Sequence, residues 1–150
     1  MHKEVYKYTE EEHRKLGDAV VWTCILAAVH QDGIIQPEEK AVAIKQTHIR
    51  TYSTEEYIQP IYEHLENHFT KDFDAFSATL PRIKAEQEPF IAEKMKDCLT
   101  VLEDIGPLFA HKFSDDLRGL YNRVFQAHSS VFQLFIMPVV TAHLEKFGLK

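Results

Sequence analysis

One hundred and fifty residues are enough for one domain with a sizeable core. Hydrophobic residues make up 45% and charged residues 27%. Seventeen Lys and Arg against 23 Asp and Glu leave a net charge of −6, which argues against a nucleic-acid partner and against binding to anionic membrane surfaces. The longest apolar run, Ala19 to Val29, is too short to cross a bilayer. The first six residues lack the apolar core of a signal peptide. Two cysteines, Cys24 and Cys98, indicate no disulfide framework. The expectation is a soluble, cytoplasmic protein.

The patterning is helical almost throughout. Residues 9–31 form the first predicted helix, opened by a Thr9/Glu12 capping box. From Leu16 onward it is apolar on nearly every side, as a central helix buried all round would be. Asp32-Gly33 ends it. Pro37 opens the second helix, with Glu38 and Glu39 in its first turn, and it runs to about Arg50. Ser53 and Glu56 make a capping box for a helix ending near Thr70, with a kink or a late start at Pro60. Asp72 or Asp74 caps a short helix that stops before Pro81. Pro89 starts a helix whose Ile91, Met95, Cys98, Leu102 and Ile105 make a buried seam. Gly106-Pro107 breaks it. A short segment follows around Leu108 to Phe113, and Ser114 caps a helix to about His128. Ser129 or Ser130 caps the last helix, which bends at Pro138, carries His143 on its apolar face and ends at Gly148. The expected fold is all-α, a single compact domain of six to eight helices spanning 1–150.

One turn carries chemistry. Asp32-Gly33-Ile34-Ile35-Gln36-Pro37-Glu38-Glu39 has the form of the second half of an EF-hand loop, with Ile35 packing inward and Glu39 placed as the bidentate ligand. The first half fails, because its first and third liganding places fall on Ala28 and His30. Two readings stand. The turn is a tight helix–helix connection, built from a turning glycine, a helix-starting proline and dipole-matched glutamates. Alternatively Asp32, Glu38 and Glu39, with His30 abutting, form an acidic surface that holds a divalent metal ion or a partner.

A long apolar helix followed by this turn resembles the TerB-like family of tellurite-resistance proteins. The matching residues are Ala27, Ala28, Asp32, Gly33, Ile35, Pro37, Glu38, Glu39 and Lys40, together with the closing Phe147-Gly148-Leu149. The resemblance implies a helical bundle of two related halves. It also implies a non-enzymatic role in bacterial stress response, through metal binding or membrane-associated assemblies. The second half departs from the family pattern: its counterpart turn, Ala127 to Val131, has neither acid nor glycine.

The nine histidines offer another constellation. His64 and His68 stand four apart on one helix, and His111 precedes Asp116 by five. These are fragments of a hemerythrin-like di-iron pattern, although the His-x-x-x-Glu pair is missing and His64 and His68 fall at the rim of their helix's apolar stripe. Glu93, Asp97, Glu103 and Asp104 form an acidic face on the middle helix. Cys24 and Cys98 fall on buried faces, far from the setting of a reactive thiol. Three functions follow: a non-enzymatic TerB-like module with protein partners, a His/carboxylate metalloprotein, or a structural adaptor bundle. Aromatics left exposed would mark a homodimer or partner surface.

Overall fold

The computed structural model describes residues 8–30, 32–54 and 56–126. They form seven helices: α1 (Glu10–Val29), α2 (Pro37–Ser53), α3 (Gln59–Leu65), α4 (Phe69–Ser77), α5 (Lys84–Lys94), α6 (Lys96–Ile105) and α7 (Pro107–Gln126). No strand occurs among the described residues. None of these helices is long and apolar enough to cross a membrane.

α1 is the axis of the bundle. Its capping box is formed on both sides: Thr9 Oγ1 accepts from the Glu12 N–H at 3.1 Å, and Glu12 Oε1 accepts from the Thr9 N–H at 2.9 Å. Every residue from Leu16 to Val29 except Asp18 is buried. All six other helices pack against it. Each large aliphatic side chain buried there stabilises the fold by about 1.5–3 kcal/mol. The one buried hydroxyl of this stretch, on Thr23, donates to the Ala19 carbonyl at 2.7 Å and is satisfied without a partner helix. Trp22 stacks on Phe76 at 4.9 Å and meets the edge of Phe90 at 5.9 Å, fastening α1 to α4 and α5.

Several expected boundaries are corrected. Ser53 does not open a helix; it is the last residue of α2, and its hydroxyl donates to the Ile49 carbonyl. Pro60 produces a late start, in the first turn of α3, where its missing N–H costs nothing. The helix expected to reach Thr70 stops at Leu65, whose carbonyl accepts from the His68 N–H in a tight i→i+3 turn. Glu66, in that turn, is drawn back to α2 and accepts from the Thr51 hydroxyl at 2.6 Å. α4 therefore begins at Phe69, and Asp72 lies inside its first turn instead of capping it.

Pro89 is inside α5, which starts five residues earlier at Lys84. Pro89 and Ala85 are both exposed, which puts the turn that the proline interrupts on the solvent side of α5. The seam from Ile91 to Ile105 is confirmed as the inner face, but it is shared between α5 and α6, which meet at Met95. Ser114 caps nothing. It is buried midway along α7, which runs unbroken from Pro107 and absorbs the segment expected around Leu108. The final helix, with Pro138 and His143, and the counterpart turn at Ala127 to Val131 lie outside the described residues.

Candidate functional site

The α1–α2 turn is built almost entirely from local bonds. Gly33 adopts φ +80°, and its N–H donates to the Val29 carbonyl at 2.8 Å. Asp32 Oδ1 accepts from the Ile34 N–H at 3.0 Å, an Asx turn. Glu39 is only 2% exposed, and its Oε1 accepts from the Gln36 N–H at 2.7 Å, closing the start of α2. Glu38 is left exposed. Ile35 packs against the core as its position implies. Lys40, one residue on, pairs with Asp74 of α4 at 2.7 Å.

The turn is also held from outside. Gln87 of α5 donates from Nε2 to the Gly33 carbonyl at 3.1 Å and to the Pro81 carbonyl at 3.0 Å. A Cβ on Gly33 would come within 3.2 Å of Gln87 Oε1 and 3.3 Å of Lys84 Cβ. Two isoleucines flank this contact, Ile34 beside Gly33 and Ile83 beside Lys84. They are 62% and 60% exposed. On the α1–α2 side of the contact Asp32 and Glu38 are exposed, and on the α5 side Arg82, Lys84 and Glu86 are exposed. Ile34 was legible in principle: with Ile35 turned inward across a tight turn, its neighbour must face water.

His30 does not act as a free cation at the end of α1. Its ring lies edge-on to Tyr121 at 6.4 Å and to Phe125 at 6.2 Å. Burial lowers its pKa, which favours the neutral ring. The four acidic-turn residues thus divide among separate tasks: Asp32 and Glu39 bond backbone, Glu38 faces water, and His30 packs on α7.

The second set is divided more widely. His64 and His68 are neighbours, with ring centroids 5.3 Å apart. His68 Nδ1 lies 2.6 Å from Asp72. His13 of α1, not singled out by spacing, stacks on His64 at 4.8 Å. His111 pairs instead with Asp115 at 3.3 Å, one turn along α7. Asp116 belongs to a third place, a clasp between α2, α3 and α7. The Tyr62 hydroxyl donates to its Oδ2 at 2.5 Å. Thr54 Oγ1 and Arg50 Nε donate to its Oδ1 at 3.1 and 3.3 Å. Burial, reinforced by the adjacent carboxylate, pushes the Tyr62 phenol well above its usual pKa. Among the described residues, no group of three His, Cys, Asp or Glu side chains is arranged to hold a metal ion.

The remaining chemistry is quiet. Burial raises the thiol pKa of both Cys24 and Cys98, the latter to about 12, so neither is activated as a nucleophile. Glu93, Asp97, Glu103 and Asp104 are exposed, and Glu93 pairs with Lys96 at 3.0 Å. An open groove of about 480 Å³ runs beside the clasp, lined by Arg50, Ser53, Thr54, Asp116 and Arg123. Its two hydroxyls already donate within the fold. Comparison with known proteins adds no assignment: no family model, curated protein or solved structure matches the chain.

Proposed function

We propose that this chain is a TerB-like, non-enzymatic interaction module that docks a protein partner at the turn between α1 and α2. The observation that carries the reading is the exposure of Ile34 and Ile83 on the two sides of the contact that Gln87 makes with Gly33. Exposed apolar residues with charged neighbours are the usual anatomy of a small docking site. Bracing supplies the pre-organisation, since little ordering cost remains for binding. Exposed Asp32 and Glu38 favour a partner that offers a basic residue to that side of the contact. The stress-response setting, tellurite resistance included, comes from the resemblance in Ala27 to Lys40. A cytoplasmic location accords with two free, buried cysteines.

The test is site-specific photo-crosslinking from position 34 in cells that make the protein, paired with tellurite-survival assays. A discrete crosslinked protein, lost on Ile83→Glu, with the same variant failing to restore tellurite survival, supports the reading. Crosslinking unchanged by Ile83→Glu and by Glu38→Lys sinks it. Calorimetric titration with calcium, manganese and zinc runs beside it. Stoichiometric binding abolished by Asp32→Asn with Glu39→Gln would replace docking with metal binding at the same turn.

A further inference from the structure

His13, His64 and His68 come from three different places: the first turns of α1, the body of α3 and the residue before α4. Their rings nevertheless form one continuous contact. His13 stacks on His64 with planes 14° apart, and His68 meets His64 edge-on. Nε2 of His13 is buried and has no hydrogen-bond partner. On its other side His13 meets the ring of Tyr8, whose hydroxyl donates to the Tyr57 carbonyl just ahead of α3. The ring contact therefore fastens the start of α1 to α3 and to the α3–α4 turn. It sits at the end of α1 opposite the docking turn and is independent of that reading.

The stack depends on the state of the His13 ring. A proton on His13 puts charge on a buried nitrogen that has no acceptor, against a second imidazole. The groups facing it are few. On α1, Glu10 and Glu12 favour its protonation; from α3, His64 opposes it; burial opposes it most, so its pKa is lowered. Asp72 of α4 holds His68. Phe109 of α7, against Tyr8, carries no charge.

Asp18, one turn further along α1, feels Arg14 of its own helix, His68, Asp72 and Asp97 of α6. Burial pushes its carboxyl up to about 6. The two signs differ. His13, lowered in the closed form, adds closure stability above its ordinary pKa of about 6.5. That contribution is lost as pH falls through the lowered value. Asp18, raised in the closed form, takes up a proton near 6 and favours closure as pH falls further. The two partly cancel in global stability, so the response must be read locally.

We propose that His13, stacked on His64, is an acid-released latch: closed at neutral pH, and opened when the His13 ring takes up a proton so that α3 and the α3–α4 turn loosen from α1. The experiment is amide hydrogen exchange on the full chain at pH 7.5 and 5.5, with rates corrected for intrinsic exchange. In the unaltered protein, protection over residues 59–72 should fall from pH 7.5 to pH 5.5, because the buried, unpartnered His13 ring disfavours its proton in the closed form. His13→Phe keeps a ring in the stack and removes the proton, so it should flatten the response. Asp18→Asn removes the opposing contribution and should enlarge it. Protection that is unchanged between the two pH values overturns the latch. So does a Phe variant that folds and still responds like the unaltered protein. A His13 ring that titrates at its ordinary value by NMR overturns it without recourse to any variant.

Discussion

At the α1–α2 turn two carboxylates find a bond within three residues: Asp32 with Ile34, Glu39 with Gln36. Between α2, α3 and α7 the reverse holds. Asp116 gathers Arg50, Thr54 and Tyr62 from 66, 62 and 54 residues away. The turn is an assembly of small bonds, each joining one carboxylate to one nearby backbone N–H. The clasp is one unit. Removing its carboxylate leaves a guanidinium and a phenol together without their common acceptor, with the Arg50 side chain only 16% exposed. A bundle can therefore be tolerant at its connection and brittle at its crossing.

The largest effect should come from Asp116→Ala. A broken, mostly buried charge pair typically costs about 3–5 kcal/mol. Urea unfolding should show this, and a cycle with Tyr62→Phe should be strongly non-additive. A loss under about 1 kcal/mol, the range of exposed ion pairs, would mean that the clasp is a surface pair in all but name. At the turn, Gly33→Ala should cost roughly 1–2 kcal/mol for the left-handed backbone. The close approach of Gln87 and Lys84 adds to that figure. A loss confined to about 1–2 kcal/mol would show that the brace on α5 yields freely, and an unchanged melting temperature would contradict the left-handed backbone at Gly33. Smallest of the three, Glu39→Ala should cost about 1 kcal/mol as a lost cap. Paired with Gly33→Ala it should depart from additivity far less than the two clasp substitutions do.

The same contrast explains what could be read along the chain. The Thr9/Glu12 box, the all-round apolar α1, the turn at Gly33 and the proline start of α2 are signals spanning one helical turn or one periodicity, and each appears where expected. Ser114 and Ser53 misled because a serine beside acids resembles a cap, whereas tertiary packing continues α7 through the first and ends α2 at the second. Pro89 misled because a proline inside a helix is tolerated where the turn it interrupts is on the solvent side. His13 and Asp116 gave no local hint of their partners. Which histidine meets His64, and which cation meets Asp116, is decided by the folding of α1 and α7 across α3 and α2. No spacing encodes that. The metal expectation for His64, His68, His111 and Asp116 rested on spacing alone, and the chain distributes those four among three places.

α1 has one further consequence. A helix rises about 1.5 Å per residue, so the sixteen steps from His13 to Val29 separate the histidine stack from the α1–α2 turn by roughly 24 Å. Charges that far apart are about three screening lengths from one another at physiological salt. Substitutions at the two ends share no partner and should combine independently. A change at one end of the rod can then leave the other end as it was.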